Sequence, residues 1–308
     1  MITGRVTPPH LRLPRTTAQV MGEVCLSLIP PSVAAVYFFG WAAVYRLAVS
    51  VAACAAADAI AVRRRGDPFD FSAVVTGLIL ALSCPAGIPL WLLVVLGFTA
   101  ILLVREAFGG IGSNLFNPAM GARALLLTVF PALAGGYALP DAVSAATPLS
   151  LTEGVPLPEL LTWLVGRKNG SMGETSALMI LLGAVWLIAR RVVRWYVPPL
   201  SLTAFSAVML LGGRDPIQQL LSGSILFGAV YIFTDYIGRP ATPWGEVLFA
   251  AGAGALTALL RLYGPYPEGV CFAVLLMNAL TPLLESLTAP RVYGMRRRAL
   301  PVGKEKHT

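Results

Sequence analysis

Long runs of apolar residues, separated by short polar stretches, recur along almost the whole chain. Several are shorter than the roughly 20 residues that a straight helix needs to cross a bilayer, and short or interrupted runs are typical of broken membrane helices. The runs cover residues 24–40, 43–62, 71–84, 90–104, 115–130, 176–189, 200–211, 217–234, 247–262 and 270–287. The pattern predicts an all-α polytopic membrane protein with about ten transmembrane helices.

Composition indicates the same class. The chain has 308 residues, of which 56% are hydrophobic and only 12% are charged, whereas soluble domains carry about 25% charged residues. Most of the surface must therefore face lipid, and the bilayer is the first partner that the sequence predicts.

The basic residues predict an orientation. The net charge of +8 could suggest nucleic-acid binding, but the basic residues cluster next to apolar runs, and such clusters mark cytoplasmic loops. The clusters are Arg5, Arg12 and Arg15; Arg63, Arg64 and Arg65; Arg190, Arg191 and Arg194; and Arg296, Arg297 and Arg298 with Lys304 and Lys306. About ten crossings place all of them on one side. We therefore expect an inner (plasma) membrane protein with both termini cytoplasmic and no nucleic-acid partner.

An internal similarity divides the chain into two halves. The first half contains DPFDFSAVVTGLILALSCP, a helix and then GGIGSNLFNPAMGARALLL, and the second contains DPIQQLLSGSILFGAVYIFTD, a helix and then YGPYPEGVCFAVLLMNALTPLL. By the crossing count they begin on opposite sides, which predicts two inverted repeats of about five helices with ligands between them. In this alignment Asn278 is the counterpart of Asn117.

The expected division of the chain follows from the crossings and the repeat. It comprises a cytoplasmic tail (1–22), a first membrane half (23–131), an extracytoplasmic loop (132–173), a second membrane half (174–288) and a basic cytoplasmic tail (289–308). The four cysteines lie far apart and the two histidines lie in the tails. Because metal sites need ligands at short spacing, no metal site and no catalytic residue is expected in this chain.

Polar motifs interrupt the apolar sequence. They are NLFNPAM (114–120), DAVSAATPL (141–149), SMGETS (171–176) and, after the last apolar run, PRVYG (290–294). Each also has a purely structural interpretation. Asn117 can cap a helix whose first turn holds Pro118, Glu174 can be an acid near a helix start, and the alanine-rich segment can be a plain loop.

Together and in this order, the motifs resemble the RnfD/NqrB family, whose members are membrane components of the Rnf electron-transport complex and of the sodium-pumping NADH:quinone oxidoreductase. The resemblance runs from about Glu23 to Gly294. It implies a flavin-bearing membrane component of a translocase that couples ferredoxin and NAD redox chemistry to movement of Na⁺ or H⁺. The chain has no dinucleotide-binding glycine motif and no Fe–S cysteine cluster, so other subunits must supply those centres.

The resemblance also assigns residues. In the family, the threonine of the SxAT motif carries FMN through a phosphoester bond, which corresponds here to Thr147, with Asp141 and Ser144 in the same attachment motif. Ala142 stands where the family often has glycine. An attachment site in an extracytoplasmic loop is accessible to a flavin transferase, which we expect as a maturation partner.

A flavin pocket is expected at the helix starts, because their free N–H groups and positive dipole end favour electron-rich ligands. The expected lining residues are Asn117, Pro118, Gly173, Glu174 and Thr175. Relatives hold a second, non-covalent riboflavin, which the resemblance implies here without assigning residues to it.

The sequence also allows other functions. One is that of the related NqrB component of the quinone-reducing sodium pump. Another, of a different class, is a channel for a small neutral solute, because the arrangement of inverted halves resembles that of urea channels. The SAAT and GETS motifs favour the flavoprotein, since a channel has no use for them. Asp235, an acid at the end of an apolar run, is a candidate for an ion path because charge is costly in lipid.

Overall fold

The computed structural model describes residues 15–65, 70–134, 157–166, 170–264 and 269–290. In these ranges the chain is helical and contains no strand. The first part forms α1 (Thr17–Ser27), α2 (Ile29–Phe39), α3 (Trp41–Arg65), α4 (Ser72–Ser83), α5 (Leu90–Phe98), a π-helix (Thr99–Arg105), a 3₁₀ turn (Glu106–Phe108), α6 (Pro118–Val129) and α7 (Pro131–Ala134). The second forms α8 (Leu157–Val165), a 3₁₀ turn (Met172–Glu174), α9 (Ala177–Ala189), α10 (Val197–Leu211), α11 (Pro216–Leu221), α12 (Ile225–Phe227), a π-helix (Gly228–Ile232), α13 (Pro243–Tyr263) and α14 (Val270–Thr288).

Five helical segments of the described chain are long and apolar enough to cross a membrane. They are Thr17–Phe39, Trp41–Arg63, Leu90–Phe108, Pro243–Tyr263 and Val270–Thr288. Shorter apolar helices cover Ser72–Ser83, Pro118–Val129, Ala177–Ala189 and Val197–Leu211. The chain is therefore an all-helical polytopic membrane protein, as the apolar pattern predicts.

Two predicted runs are broken in the structure. The run at 24–40 divides at Leu28, which ends α1 and precedes α2. The cause is local, because Pro30 and Pro31 lack the N–H groups that would continue the hydrogen-bond ladder of α1. The run at 217–234 divides into α11, α12 and a π-helix. One further helix, α8, lies in a stretch that the apolar pattern predicts to be a loop.

Glycines allow the closest helix contacts. A Cβ atom at Gly77 of α4 would lie 2.7 Å from the Cα atom of Val51 in α3. A Cβ atom at Gly254 of α13 would overlap the carbonyl oxygen of Ser201 in α10. Small residues at helix interfaces let backbones approach closely, and such packing drives helix association in membranes. These contacts therefore fix the positions of α3 against α4 and of α10 against α13.

A buried ionic cluster ties α13 to the connection between α9 and α10. Glu246, which is 2% exposed, accepts hydrogen bonds of 2.6 Å from both Arg194 and Tyr196 on one carboxylate oxygen. Arg239 pairs with its other oxygen. Buried charges are stable only when they are paired in this way.

Candidate functional site

A central pocket lies between α1, α4, α6, α9 and the second π-helix, and its cavity volume is about 80 Å³. Its apolar lining is Met21, Val24, Val75, Ile79, Ile111, Pro118, Ala119, Leu187, Val192, Val193 and Ile237. Its polar lining is Ser72, Thr76, Arg105, Asn114, Asn117, Tyr231, Thr234, Asp235 and Tyr236. The lining thus combines eleven apolar and nine polar residues, and sites for organic ligands combine apolar walls with polar groups that fix the orientation of the ligand.

Asn117 joins the two halves of the sequence at this pocket. Its Oδ1 accepts a hydrogen bond from the N–H of Met120 (3.2 Å), so it caps α6, and Pro118 occupies the first turn. Its Nδ2 donates to Asp235 (2.9 Å), and its backbone N–H donates to Oδ1 of Asn278 (3.2 Å). The predicted helix start is confirmed, and the two asparagines that the repeat aligns are in direct contact. Asn278 itself lies within α14 rather than at a helix start.

Asn114 presents an unused acceptor to the same pocket. The side chain is 5% exposed, and its Nδ2 donates to the carbonyl of Phe116 (3.1 Å), which fixes the orientation of the amide. Within the described ranges, its Oδ1 has no hydrogen-bond partner. Burying an acceptor without a partner costs about 1–3 kcal/mol, so this oxygen is suited to a ligand that donates a hydrogen bond. Asn114 was not among the predicted site residues, although the three-residue spacing to Asn117 places both near one helix start.

Arg105 lines one end of the pocket and is 3% exposed. It donates to Ser72 Oγ (2.9 Å) and Glu106 Oε1 (3.0 Å), and forms an ion pair with Asp58. The arginine ends the first π-helix, and π-helical turns are frequent at functional sites. This charged group was also not predicted, because its partners on α3 and α4 are distant in sequence.

Asp235 lies beside the pocket and outside the five long spans. Burial raises the pKa of its carboxyl above the ordinary value, while the N–H of Ile237, the amide of Asn117 and the charge of Arg239 act in the opposite direction. The carboxylate thus has two hydrogen-bond donors and a nearby cation. The geometry accounts for a buried acid here, and an ion-path role for it stays a prediction.

The GETS motif lies at a different place. The N–H of Met172 donates to the carbonyl of Cys84 (3.1 Å), and a Cβ atom at Gly173 would lie 2.7 Å from Cβ of Leu82. The hydroxyl of Thr175 donates back to the Met172 carbonyl (3.2 Å). The motif is therefore packed tightly against the end of α4, and it precedes α9 as expected for a helix start.

Glu174 is 1% exposed and lies 3.7 Å from the guanidinium of Arg123 on α6. Arg123 also donates to the hydroxyl of Ser171 (3.3 Å). Arg123 is six residues beyond Asn117, which corresponds to about 9 Å along a helix axis. Gly173, Glu174 and Thr175 do not line the central pocket. Their expected place in one flavin pocket with Asn117 and Pro118 stays a prediction.

Several predicted features lie outside the described residues. They are the attachment motif with Asp141, Ser144 and Thr147, the tails at 1–14 and 291–308, and most of the PRVYG motif.

The helices and the pocket define a polytopic membrane protein with a buried pocket of mixed apolar and polar lining. The chain belongs to the NQR2, RnfD, RnfE family, which matches residues 5–294.

Relatives are similar over nearly their whole length. The chain is 39% identical over 300 residues to the D component of the Na⁺-translocating ferredoxin:NAD⁺ oxidoreductase complex of Acetobacterium woodii, with 94% of each chain covered. It is 35% identical to the D component of the proton-translocating ferredoxin:NAD⁺ oxidoreductase complex of Clostridium ljungdahlii, covering 94% of this chain and 95% of the relative. It is 37% identical to the D component of the ion-translocating oxidoreductase complex of Stutzerimonas stutzeri, covering 94% and 96%.

Proposed function

We propose that this chain is the flavin-bearing RnfD component of an Rnf-type complex that couples electron transfer between ferredoxin and NAD to the movement of Na⁺ or H⁺. The observation that carries the proposal is the end-to-end similarity to relatives whose names describe this complex. The chain acts with the other subunits, because it lacks the sequence motifs for a dinucleotide site and for Fe–S clusters. One relative is named as Na⁺-translocating and another as proton-translocating. The similarity therefore does not show which ion the complex of this chain moves.

The proposed topology has about ten crossings in two inverted halves, in the inner membrane, with both termini cytoplasmic. The five long spans and the four shorter apolar helices support it. The segment from α11 to the second π-helix would form the remaining, broken crossing. Close glycine contacts occur between α3 and α4 at Gly77 and between α10 and α13 at Gly254.

Thr147 is the proposed site of covalent FMN, attached by a flavin transferase on the extracytoplasmic side. Thr147→Val, which is similar in shape but lacks the hydroxyl, should abolish flavin fluorescence of the denatured protein in a gel while leaving membrane insertion intact. Thr147→Ser should retain part of it. Ser144→Ala and Thr152→Val serve as controls that keep the signal. A fluorescent Thr147→Val protein would exclude this attachment site.

The central pocket is the proposed site of the second, non-covalent flavin. The chemistry of its lining fits such a group, because apolar side chains supply most of the lining surface and Asn114 offers a buried acceptor without a partner in the described residues. Asn114 would accept from a ring N–H, and Arg105, whose charge is balanced by Asp58 and Glu106, would contribute a further polar group to the pocket lining. When bound, a flavin supplies one- or two-electron transfer. In the proposed topology this pocket lies towards the cytoplasmic ends of its helices, opposite the Thr147 loop.

Asn114→Leu separates the two flavins experimentally. The variant should lose most of the flavin that acid extracts from the purified complex, because leucine cannot accept the hydrogen bond, and should keep the covalent fluorescence at Thr147. Ser206→Ala, on α10 and absent from the pocket lining, is the control. Unchanged extractable flavin in Asn114→Leu would place the second flavin elsewhere. Assays of the purified complex with ferredoxin and with quinone distinguish the Rnf type from the quinone-reducing relative.

A further inference from the structure

We infer that α1 is a latched lid over the central pocket, hinged at Leu28 and held shut by the end of α9. Met21 and Val24 of α1 line the pocket, and so do Leu187 of α9 and Val193 in the turn that follows α9. The contact between the helices α1 and α9 forms a seam. Movement of α1 away from α9, and along α4, which it also contacts, would therefore open the pocket.

The hinge is built into the sequence. Leu28 is both the last cap of α1 and the first cap of α2, and the prolines that follow it interrupt the backbone ladder. In a continuous helix the carbonyl of Ser27 would accept from the N–H of residue 31, but Pro31 has none. The break thus leaves a carbonyl that needs another donor, at the point where α1 can bend.

Tyr231 supplies that donor. Its hydroxyl donates to the Ser27 carbonyl (2.7 Å), and the same side chain lines the pocket. The hydroxyl fits there because α9 has a glycine at position 183, where a Cβ atom would overlap it. Tyr231 therefore connects the hinge of α1 to the pocket wall. Anything that moves this ring on the pocket side also acts on the hinge.

The latch consists of two contacts, one at Glu23 in the middle of α1 and one at Arg15 just before the helix begins. Glu23 accepts from Nε (3.0 Å) and Nη2 (2.6 Å) of Arg190 and from Nε1 of Trp186 (3.0 Å). Arg15 donates to the carbonyl of Arg190 (2.6 Å). Arg190 is 52% exposed, and exposed ion pairs contribute little free energy. The latch can therefore open and reclose, unlike the buried pair of Arg105 and Asp58.

Access to the pocket is the function that these contacts control. A ligand held behind Met21 and Val24 enters and leaves through the seam, and the strength of the latch sets how often the seam opens. This inference concerns the entrance and goes beyond the proposed function. It does not require the ligand to be a flavin.

The test measures access to the pocket with a thiol-reactive maleimide. Ala119→Cys places the thiol in the pocket lining, in a Cys25→Ser background, since the other native cysteines are buried. Glu23→Arg and Arg190→Glu each bring like charges together at the latch, and each should raise the labelling rate about threefold or more. The double variant Glu23→Arg/Arg190→Glu restores an opposite pair and should return the rate to that of the parent.

Arg191→Glu is the matched control, because it makes the same charge change one residue away from the latch. It should leave the rate unchanged. Tyr231→Phe removes the hinge contact alone and should also raise the rate, which keeps the test valid if a charge reversal impairs folding. Equal rates in the parent, both latch variants and Tyr231→Phe would overturn the lid. An equal increase of the labelling rate in Arg191→Glu would show that surface charge in general causes the effect. This result would also overturn the lid.

Discussion

Arg123 illustrates how this apolar protein keeps a charged side chain inside. It is 2% exposed, and its charge is balanced by the equally buried Glu174, with Ser171 as a further hydrogen-bond partner. The exchange of such a pair for neutral side chains is often tolerated, whereas removal of one partner leaves an uncompensated charge. Arg105 with Asp58, and Glu246 with Arg194 and Arg239, follow the same rule.

Removal of Arg123 should therefore be costly. We expect Arg123→Met to lower the free energy of unfolding by about 3 kcal/mol, because the buried Glu174 then loses the guanidinium that lies 3.7 Å away. The melting temperature of the detergent-purified protein measures the effect. The double variant Arg123→Met/Glu174→Gln should recover most of the loss, since no net charge is left. A double variant as unstable as the single one would contradict the role of charge.

For single residues, the sequence predicts those features that depend only on neighbouring residues in the chain. The cap by Asn117, the first-turn Pro118 and the helix start after GETS depend on neighbouring residues, and the structure has all of them. The unused acceptor of Asn114 and the pocket position of Arg105 depend on distant partners. Arg105 meets Ser72 and Asp58, which are 33 and 47 residues away. Without the fold, no spacing rule brings those side chains together.

The helices follow the apolar runs closely because burial in lipid decides where they form. Most predicted runs end within a few residues of a helix end, as in α9, α10 and α14. The exceptions are the π-helices and the short helix α8. A π-helical turn changes the register of only a few hydrogen bonds and leaves the apolar pattern intact, so hydrophobicity alone cannot reveal it.

Two glycines of α13 test whether backbone contact sets the position of this helix. Gly254→Ala should cost about 1–3 kcal/mol, because its new Cβ meets the backbone carbonyl of Ser201. Gly252→Ala, two residues earlier, meets only the flexible end of Met277, with the nearest atom 2.8 Å away. The cost should be small there, since the methionine can move. Thermal unfolding of both variants checks this, and equal losses would contradict a specific contact at Gly254.

For the molecule as a whole, the inverted repeat stays a prediction, and one contact in the structure involves residues that it aligns. It aligns Asn117 with Asn278, and the structure joins these two residues by a hydrogen bond between parts of the chain 161 residues apart. The two flavin-related motifs were expected to meet as well, but NPAM lies at the central pocket while GETS packs against α4. Both motifs mark helix starts, but the sequence alone does not show at which depth in the membrane each helix starts.

Orientation in the membrane is the property that the charge clusters predict most directly. In the proposed topology, the turn after α9 faces the cytoplasm and the end of α10 faces outward. Two exposed positions report on them in a Cys25→Ser background: Arg191→Cys after α9 and Leu211→Cys, at a side chain that is 89% exposed, at the end of α10. An impermeant maleimide should label Leu211→Cys in intact cells and Arg191→Cys only after permeabilisation. The reverse labelling pattern would show that the protein has the opposite orientation in the membrane, with the Thr147 loop in the cytoplasm.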